Sequence, residues 1–182
     1  KACSFDCVYC DLGKTQVRLN KIKTEIEFPT LEQVIEGLKQ GFIKARLSTE
    51  KITSILLSGN GEPTLYSFFP EAIDEIMKAR ADLLPHAKLA ILTNGAHLDS
   101  RKVVEAVNRL DERVLKVDVG NEKLFKQLNS PLSRASLTSL IANARLLKDF
   151  TVQAMFVQGA VDNTQGTDLE DWIELMGLLR PK

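Results

Sequence analysis

Ile52-Thr-Ser-Ile-Leu-Leu-Ser58 runs straight into Gly59-Asn-Gly-Glu-Pro63. The first half is short, apolar and β-rich, which predicts a buried strand. The second half is a turn built from residues that tolerate unusual dihedrals. Pro70 then suits a first helical turn, and Ile73, Ile76 and Met77 form a helical stripe that must stop near Pro85. Strand, polar turn and helix make one unit, and related units lie on both sides. Upstream, Thr30-Leu-Glu-Gln33 reads as a capping box, with Leu31, Val34, Ile35, Leu38 and Phe42 at helical spacing. Downstream, 89–93 predicts a strand, and Asp99 caps a helix carrying Val103, Val104, Val107 and Leu110. A strand over 114–119 follows, and Asn121 caps a short helix with Leu124, Phe125 and Leu128. Beyond Pro131, Leu137, Leu140 and Ile141 mark a helix, and 151–157 reads as a strand. Thr167-Asp-Leu-Glu170 is a second capping box, followed by Trp172, Ile173 and Met176, with Pro181 as the stop.

Four strands alternating with helices argue for a parallel sheet with crossover helices, α/β class. A strand spacing of about 30 residues suits an open doubly wound sheet or a barrel, and periodicity does not separate the two. The 182 residues fit one domain with a substantial core. Apolar residues make up 44% and charged residues 26%, which excludes a chain disordered throughout. No apolar run reaches the roughly 20 residues of a membrane span. No basic-then-apolar leader opens the sequence, so a cytoplasmic protein is expected. Lys plus Arg and Asp plus Glu are 24 each, and this zero net charge argues against a general electrostatic nucleic-acid binder.

In either architecture, functional loops follow the C-terminal ends of the strands. Those loops read Gly59-Asn-Gly-Glu-Pro63, Asn94-Gly95, Gly120-Asn121 just beyond Asp118, and Gln158-Gly159 leading to Asp162-Asn163. Any one of them is ordinary turn chemistry. Four on one face point to a polar small-molecule site, with Glu62 and Asp118 as its acids. The Gly59-Asn-Gly-Glu62 turn lacks the Lys-Ser/Thr of a phosphate loop, and a carboxylate there disfavours an anionic ligand.

The three cysteines, Cys3, Cys7 and Cys10, all lie in Lys1-Ala-Cys3-Ser-Phe-Asp-Cys7-Val-Tyr-Cys10. An odd count forbids a closed disulfide framework, and the clustering points to a metal. A structural zinc or ferredoxin-type site wants four ligands. Here there is no fourth cysteine, and His86 and His97 are distant in sequence. Three thiolates imply an open coordination position.

This C-x3-C-x2-C spacing, with Tyr9 before the last cysteine, resembles the signature of the radical S-adenosylmethionine (radical SAM) enzymes. Asn60-Gly61-Glu62-Pro63 resembles the family's Gly-Gly-Glu-Pro loop, with Asn for the first Gly. The resemblance implies a partial (β/α)6 TIM-like barrel, parallel strands with outer helices, without the first and last strands. Residues 1–182 would then be the core domain of a longer chain. It further implies that Cys3, Cys7 and Cys10 hold three irons of a [4Fe–4S] cluster. The fourth iron is chelated by SAM, whose reductive cleavage yields a 5′-deoxyadenosyl radical that abstracts hydrogen from substrate. Tyr9 would pack beside the cluster. Asn60, Gly61, Glu62 and Pro63 would meet the SAM amino group, Asn94 its methionyl part, and Asp118 the ribose. Glu62→Ala is expected to weaken SAM binding and leave the fold intact. An electron donor such as flavodoxin or ferredoxin is implied.

Cys7-Val-Tyr-Cys10-Asp-Leu-Gly-Lys-Thr15 and Ser58-Gly-Asn-Gly-Glu-Pro-Thr-Leu65 are most similar to an Fe–S oxidoreductase branch related to wyosine-type tRNA-modifying enzymes. That makes tRNA a candidate substrate. Lys14, Arg18, Lys21 and Lys23 form a basic stretch that phosphates would suit, although such a run is more often a solvated loop. Two rivals stand. A non-catalytic zinc or Fe–S module predicts no pocket beside the cysteines. A redox thiol protein predicts one strongly shifted thiol pKa.

Overall fold

The computed structural model describes residues 1–15, 28–49, 51–132 and 134–182. Four strands form one parallel sheet in the order β1 (Ser54–Leu57), β2 (Lys88–Thr93), β3 (Glu112–Lys116) and β4 (Thr151–Gln153). Helices α1 (Leu31–Leu47), α2 (Phe69–Leu83), α3 (Arg101–Val107), α4 (Glu122–Leu128), α5 (Leu137–Ala144) and α6 (Gly166–Leu179) surround it. Spatial order follows chain order, as right-handed crossovers build a barrel wall. Among the described residues the sheet does not close, and β1 and β4 are its edges.

The middle of the sheet is the driest part. Leu89, Ile91, Leu115, Val107 and Leu128 are fully buried between sheet and helices. α1 forms where its sequence pattern predicts. Thr30 accepts from Gln33 N while the Gln33 side chain accepts from Thr30 N, closing the capping box. Asn121 caps α4 through Leu124 N at 2.8 Å.

Several boundaries differ from the sequence reading. β1 is not buried: Leu56 is 54% exposed, because an edge strand is covered by a neighbour on one side only. Ser100, not Asp99, is the N-cap of α3, and it makes no side-chain capping bond. The second capping box does not form. Gln165 is the N-cap, so α6 opens at Gly166, φ +60°, two residues early, and Thr167 falls inside the first turn. β3 and β4 stop short of 119 and 157 because side chains replace the ladder. Asp118 Oδ1 accepts from Met155 N at 2.8 Å, and Asn163 Oδ1 accepts from Val157 N at 2.7 Å.

Gly120 is needed for packing. A Cβ there would lie 2.1 Å from the Asp171 carbonyl carbon, so α6 could not approach β3. That approach lets the Trp172 indole N–H reach Val117 O at 2.9 Å. Trp172 thus packs at the sheet, against Phe156 edge to face.

Candidate active site

The C-terminal ends of all four strands open into one cavity of about 510 Å³. Cys3, Cys7, Cys10, Tyr9, Gly61, Glu62, Asn94 and Asp118 all line it. Asn60 and Pro63 do not. Asn60 is exposed and its carbonyl accepts from Ala2 N, while Pro63 opens a 3-10 turn.

The cysteine loop is stitched to three places. Ala2 pairs with Gly61: Ala2 N donates to Asn60 O at 3.1 Å, and Glu62 N donates to Ala2 O at 2.9 Å. Gly61 sits at φ +138°, and a Cβ there would fall 1.7 Å from Ala2 O. Only glycine permits this approach. Residues 4–8 run against the end of α4, with Val8 N donating to Leu128 O and Leu132 N to Ser4 O, both at 2.9 Å. Ser4 Oγ meets His97 Nε2 at 2.8 Å, reaching the loop after β2.

Each sulfur has N–H groups directed at it. Cys3 Sγ accepts from Phe5 N and Asn94 Nδ2, and Cys7 Sγ from Asn129 Nδ2, all at 3.5 Å. Cys10 Sγ accepts from the Lys1 ammonium at 3.1 Å. Burial pushes the Cys3 and Cys7 thiols up. For these two sulfurs this is the reverse of an activated nucleophile.

The two acids are held differently. Glu62 Oε1 accepts from Thr64 N, Thr64 Oγ1 and Thr93 Oγ1, and Oε2 accepts from Asn94 N at 2.7 Å. Its carboxylate therefore joins the loops after β1 and β2. Asp118, 2% exposed, accepts from Lys116 Nζ and Met155 N on Oδ1, and from Tyr9 OH and Asn129 Nδ2 on Oδ2. Those four donors fill a carboxylate's ordinary capacity. Burial and the Asp118 charge push the Tyr9 phenol far up, so it stays a donor. Asn163 Nδ2 ties Asp118 O to Met155 O, both at 2.8 Å.

Sequence reasoning missed Lys1, Lys116 and Asn129. Lys116 lines the cavity, 4.9 Å over the Tyr9 ring. A lysine inside the apolar run 114–119 was its signal. Asn129 sends one amide to both Cys7 and Asp118, and nothing local in the sequence marks it. Of the basic stretch, Arg18, Lys21 and Lys23 lie outside the described residues. Lys14 is exposed and pairs with Asp6 at 3.6 Å.

Among the described residues, no three His, Cys, Asp or Glu side chains gather as donors around a single ion. Cys3, Cys7 and Cys10 all line one cavity, which has room for a group larger than a single ion. The roomy cavity beside them is what a purely structural metal module does not predict.

A family model described as the radical SAM superfamily matches residues 1–179. A UPF0026 protein of Helicobacter pylori is 29% identical over 134 residues, 74% of this chain and 40% of that protein. A UPF0026 protein of Synechocystis sp. is 27% identical over 184 residues, 98% of this chain and 63% of that protein. The chain thus spans between about two fifths and two thirds of the length of these relatives. Among solved structures, TYW1 with a lysine–pyruvate adduct bound superposes with TM-score 0.66 at 16% identity, covering 97% of this chain and 58% of that one. Streptococcus suis SuiB bound to S-adenosylmethionine gives 0.62 at 17%, covering 99% and 36%. At these identities the likeness concerns the fold, a partial barrel of parallel strands.

Proposed function

The chain belongs to the radical SAM superfamily, whose members use a [4Fe–4S] cluster and SAM, and on that premise we propose that Cys3, Cys7 and Cys10 hold the cluster in this cavity. The observation that supports the reading is that all three cysteines line one cavity together with Glu62, Asn94 and Asp118. When bound, the cluster supplies one electron that cleaves SAM to methionine and a 5′-deoxyadenosyl radical, which takes a hydrogen atom from substrate.

The chain's own residues bind, orient and shield. Phe5, Leu115, Val117, Leu140 and Met155 give the cavity apolar walls that exclude water. Glu62 Oε2 takes only Asn94 N among described donors, so its remaining capacity suits the SAM ammonium. Gly61 and the adjoining backbone bring the loop close. Asn94 faces the methionyl part. Asp118 reaches the ribose by exchanging one of its donors, the Tyr9 hydroxyl or the Lys116 ammonium. Tyr9 packs between the cluster loop and that ribose site.

Further parts of the proposal concern the whole protein. Residues 1–182 form the core of a longer cytoplasmic enzyme of the Fe–S oxidoreductase type. Its electron donor is a flavodoxin or ferredoxin, and tRNA is its candidate substrate. No helix among the described residues is long and apolar enough to cross a membrane.

The test is anaerobic reconstitution with iron and sulfide, then reduction in the presence of SAM. A [4Fe–4S] spectrum and 5′-deoxyadenosine release are expected. A bound cluster or zinc ion with no SAM binding would favour the non-catalytic metal module.

A further inference from the structure

We propose that Lys1 sets the reduction potential of the cluster by placing its ammonium on the Cys10 sulfur. The inference rests on the reading that the three cysteines hold a [4Fe–4S] cluster.

Among the described contacts, Lys1 is the cation hydrogen-bonded to a cysteine sulfur. The groups hydrogen-bonded to Cys3 and Cys7 are neutral, amides at 3.5 Å and the Tyr9 hydroxyl, and Lys116 acts on Cys7 without a hydrogen bond. The Lys1 ammonium stands 3.1 Å from Cys10 Sγ. Its side chain is 2% exposed, an unusual burial for lysine. It is also held in place: Nζ donates to Gly13 O at 2.8 Å, and Asp6 Oδ1 lies 3.8 Å away. Gly13 N in turn donates to Cys10 O at 3.2 Å, so the turn that carries the sulfur also carries the carbonyl that aims the ammonium.

The consequence follows from charge. Reducing the cluster adds one negative charge, shared onto the ligand sulfurs. A cation fixed at one sulfur stabilises the reduced form more than the oxidised form. The interaction is strong where solvent is excluded. Hydrogen bonds to the sulfurs and net charge are established levers on such potentials, and a charge-assisted donor outweighs a neutral one. Lys1 is a positioning and electrostatic residue, not a catalytic one.

A strut role is the structural alternative, because Lys1 also joins Cys10 to Gly13. Conservative variants separate the two. In the full-length protein reconstituted with iron and sulfide, the midpoint potential is read by an EPR-monitored redox titration, with iron and sulfide content measured alongside. Lys1→Met and Lys1→Gln should each retain the cluster and shift to lower potential. The expected loss is about tenfold in the reduction equilibrium, which is about 59 mV for one electron. Lys1→Arg, which keeps the charge, should return the potential toward that of the unaltered protein. An unchanged potential in Lys1→Gln at full cluster content overturns the proposal. So does loss of the cluster from both neutral variants, which would make Lys1 a strut. Failure of the unaltered protein to take up any cluster overturns the underlying reading as well, and is recognised by that arm alone.

Discussion

The two rims of the sheet handle charge in opposite ways. At the C-terminal rim, Glu62 and Asp118 are buried and held mostly by neutral neighbours: amides, hydroxyls and one lysine. At the opposite rim, Lys88 meets Glu112 at 2.8 Å and Lys182 meets Asp149 at 3.0 Å, with every one of these side chains about half exposed or more. The lower pairs sit in water, where attraction is weak and either partner is readily replaced by solvent. The upper carboxylates have no solvent to fall back on. Each is fixed by several elements at once, so a change at one atom is felt in two or three loops. The upper rim therefore has the rigidity a reactive site requires, and the lower rim has the tolerance of a surface.

The largest effect expected from breaking the upper rim is at Gly61. Gly61→Ala places a methyl 1.7 Å from Ala2 O in a backbone conformation alanine rarely adopts. The Ala2 pairing should open and cluster uptake should be lost, as measured by iron and sulfide per chain, with the far-ultraviolet circular dichroism of the sheet retained. Next is Asp118→Ala, which strands Asn129, Tyr9, Lys116 and Met155 N without their acceptor. A loss of about 3–5 kcal/mol in denaturant unfolding is expected, the range for removing one partner of a buried charged pair. Glu62→Gln should cost about 1–3 kcal/mol, because an amide group must then face a hydrogen-bond donor in the Thr64, Thr93 and Asn94 N cluster. SAM affinity, followed by equilibrium dialysis, should fall with it. The sequence reading expects Glu62→Ala to spare the fold; the four donors on this carboxylate make a stability loss the expected result instead. The smallest effect belongs to the lower rim. Glu112→Ala should leave the thermal midpoint unchanged, and a shift matching that of Asp118→Ala would erase the contrast between the rims.

Much of this arrangement is legible in the sequence for a local reason. Gly61, Glu62, Asn94 and Asp118 each follow a strand within a few residues, so reading strands also finds the rim. The α1 capping box and the Asn121 cap are local hydrogen bonds and form as expected. What escaped reading is long-range. Asn129 matters because α4 ends where the cysteine loop passes, and Asn163 because it bridges the loops after β3 and β4. No periodicity encodes such meetings. The shortened β3 and β4 have the same origin, since Asp118 and Asn163 take amides that a continued ladder would have used. Leu56 is exposed where the pattern predicts burial, because an apolar run does not reveal whether its strand is central or at an edge.

The stitching of residues 4–8 onto the end of α4 also governs when the site comes into being. Cys7 and the amide of Asn129 are 122 residues apart. At about 5–20 residues per second of synthesis, the thiols emerge roughly 6–24 s before that partner exists. Contacts of such separation form late in folding, because a long loop must close before they repay it. The thiols are thus made first and housed last. The packing that houses the cysteine loop therefore waits until α4 has been made, whatever follows it in the chain.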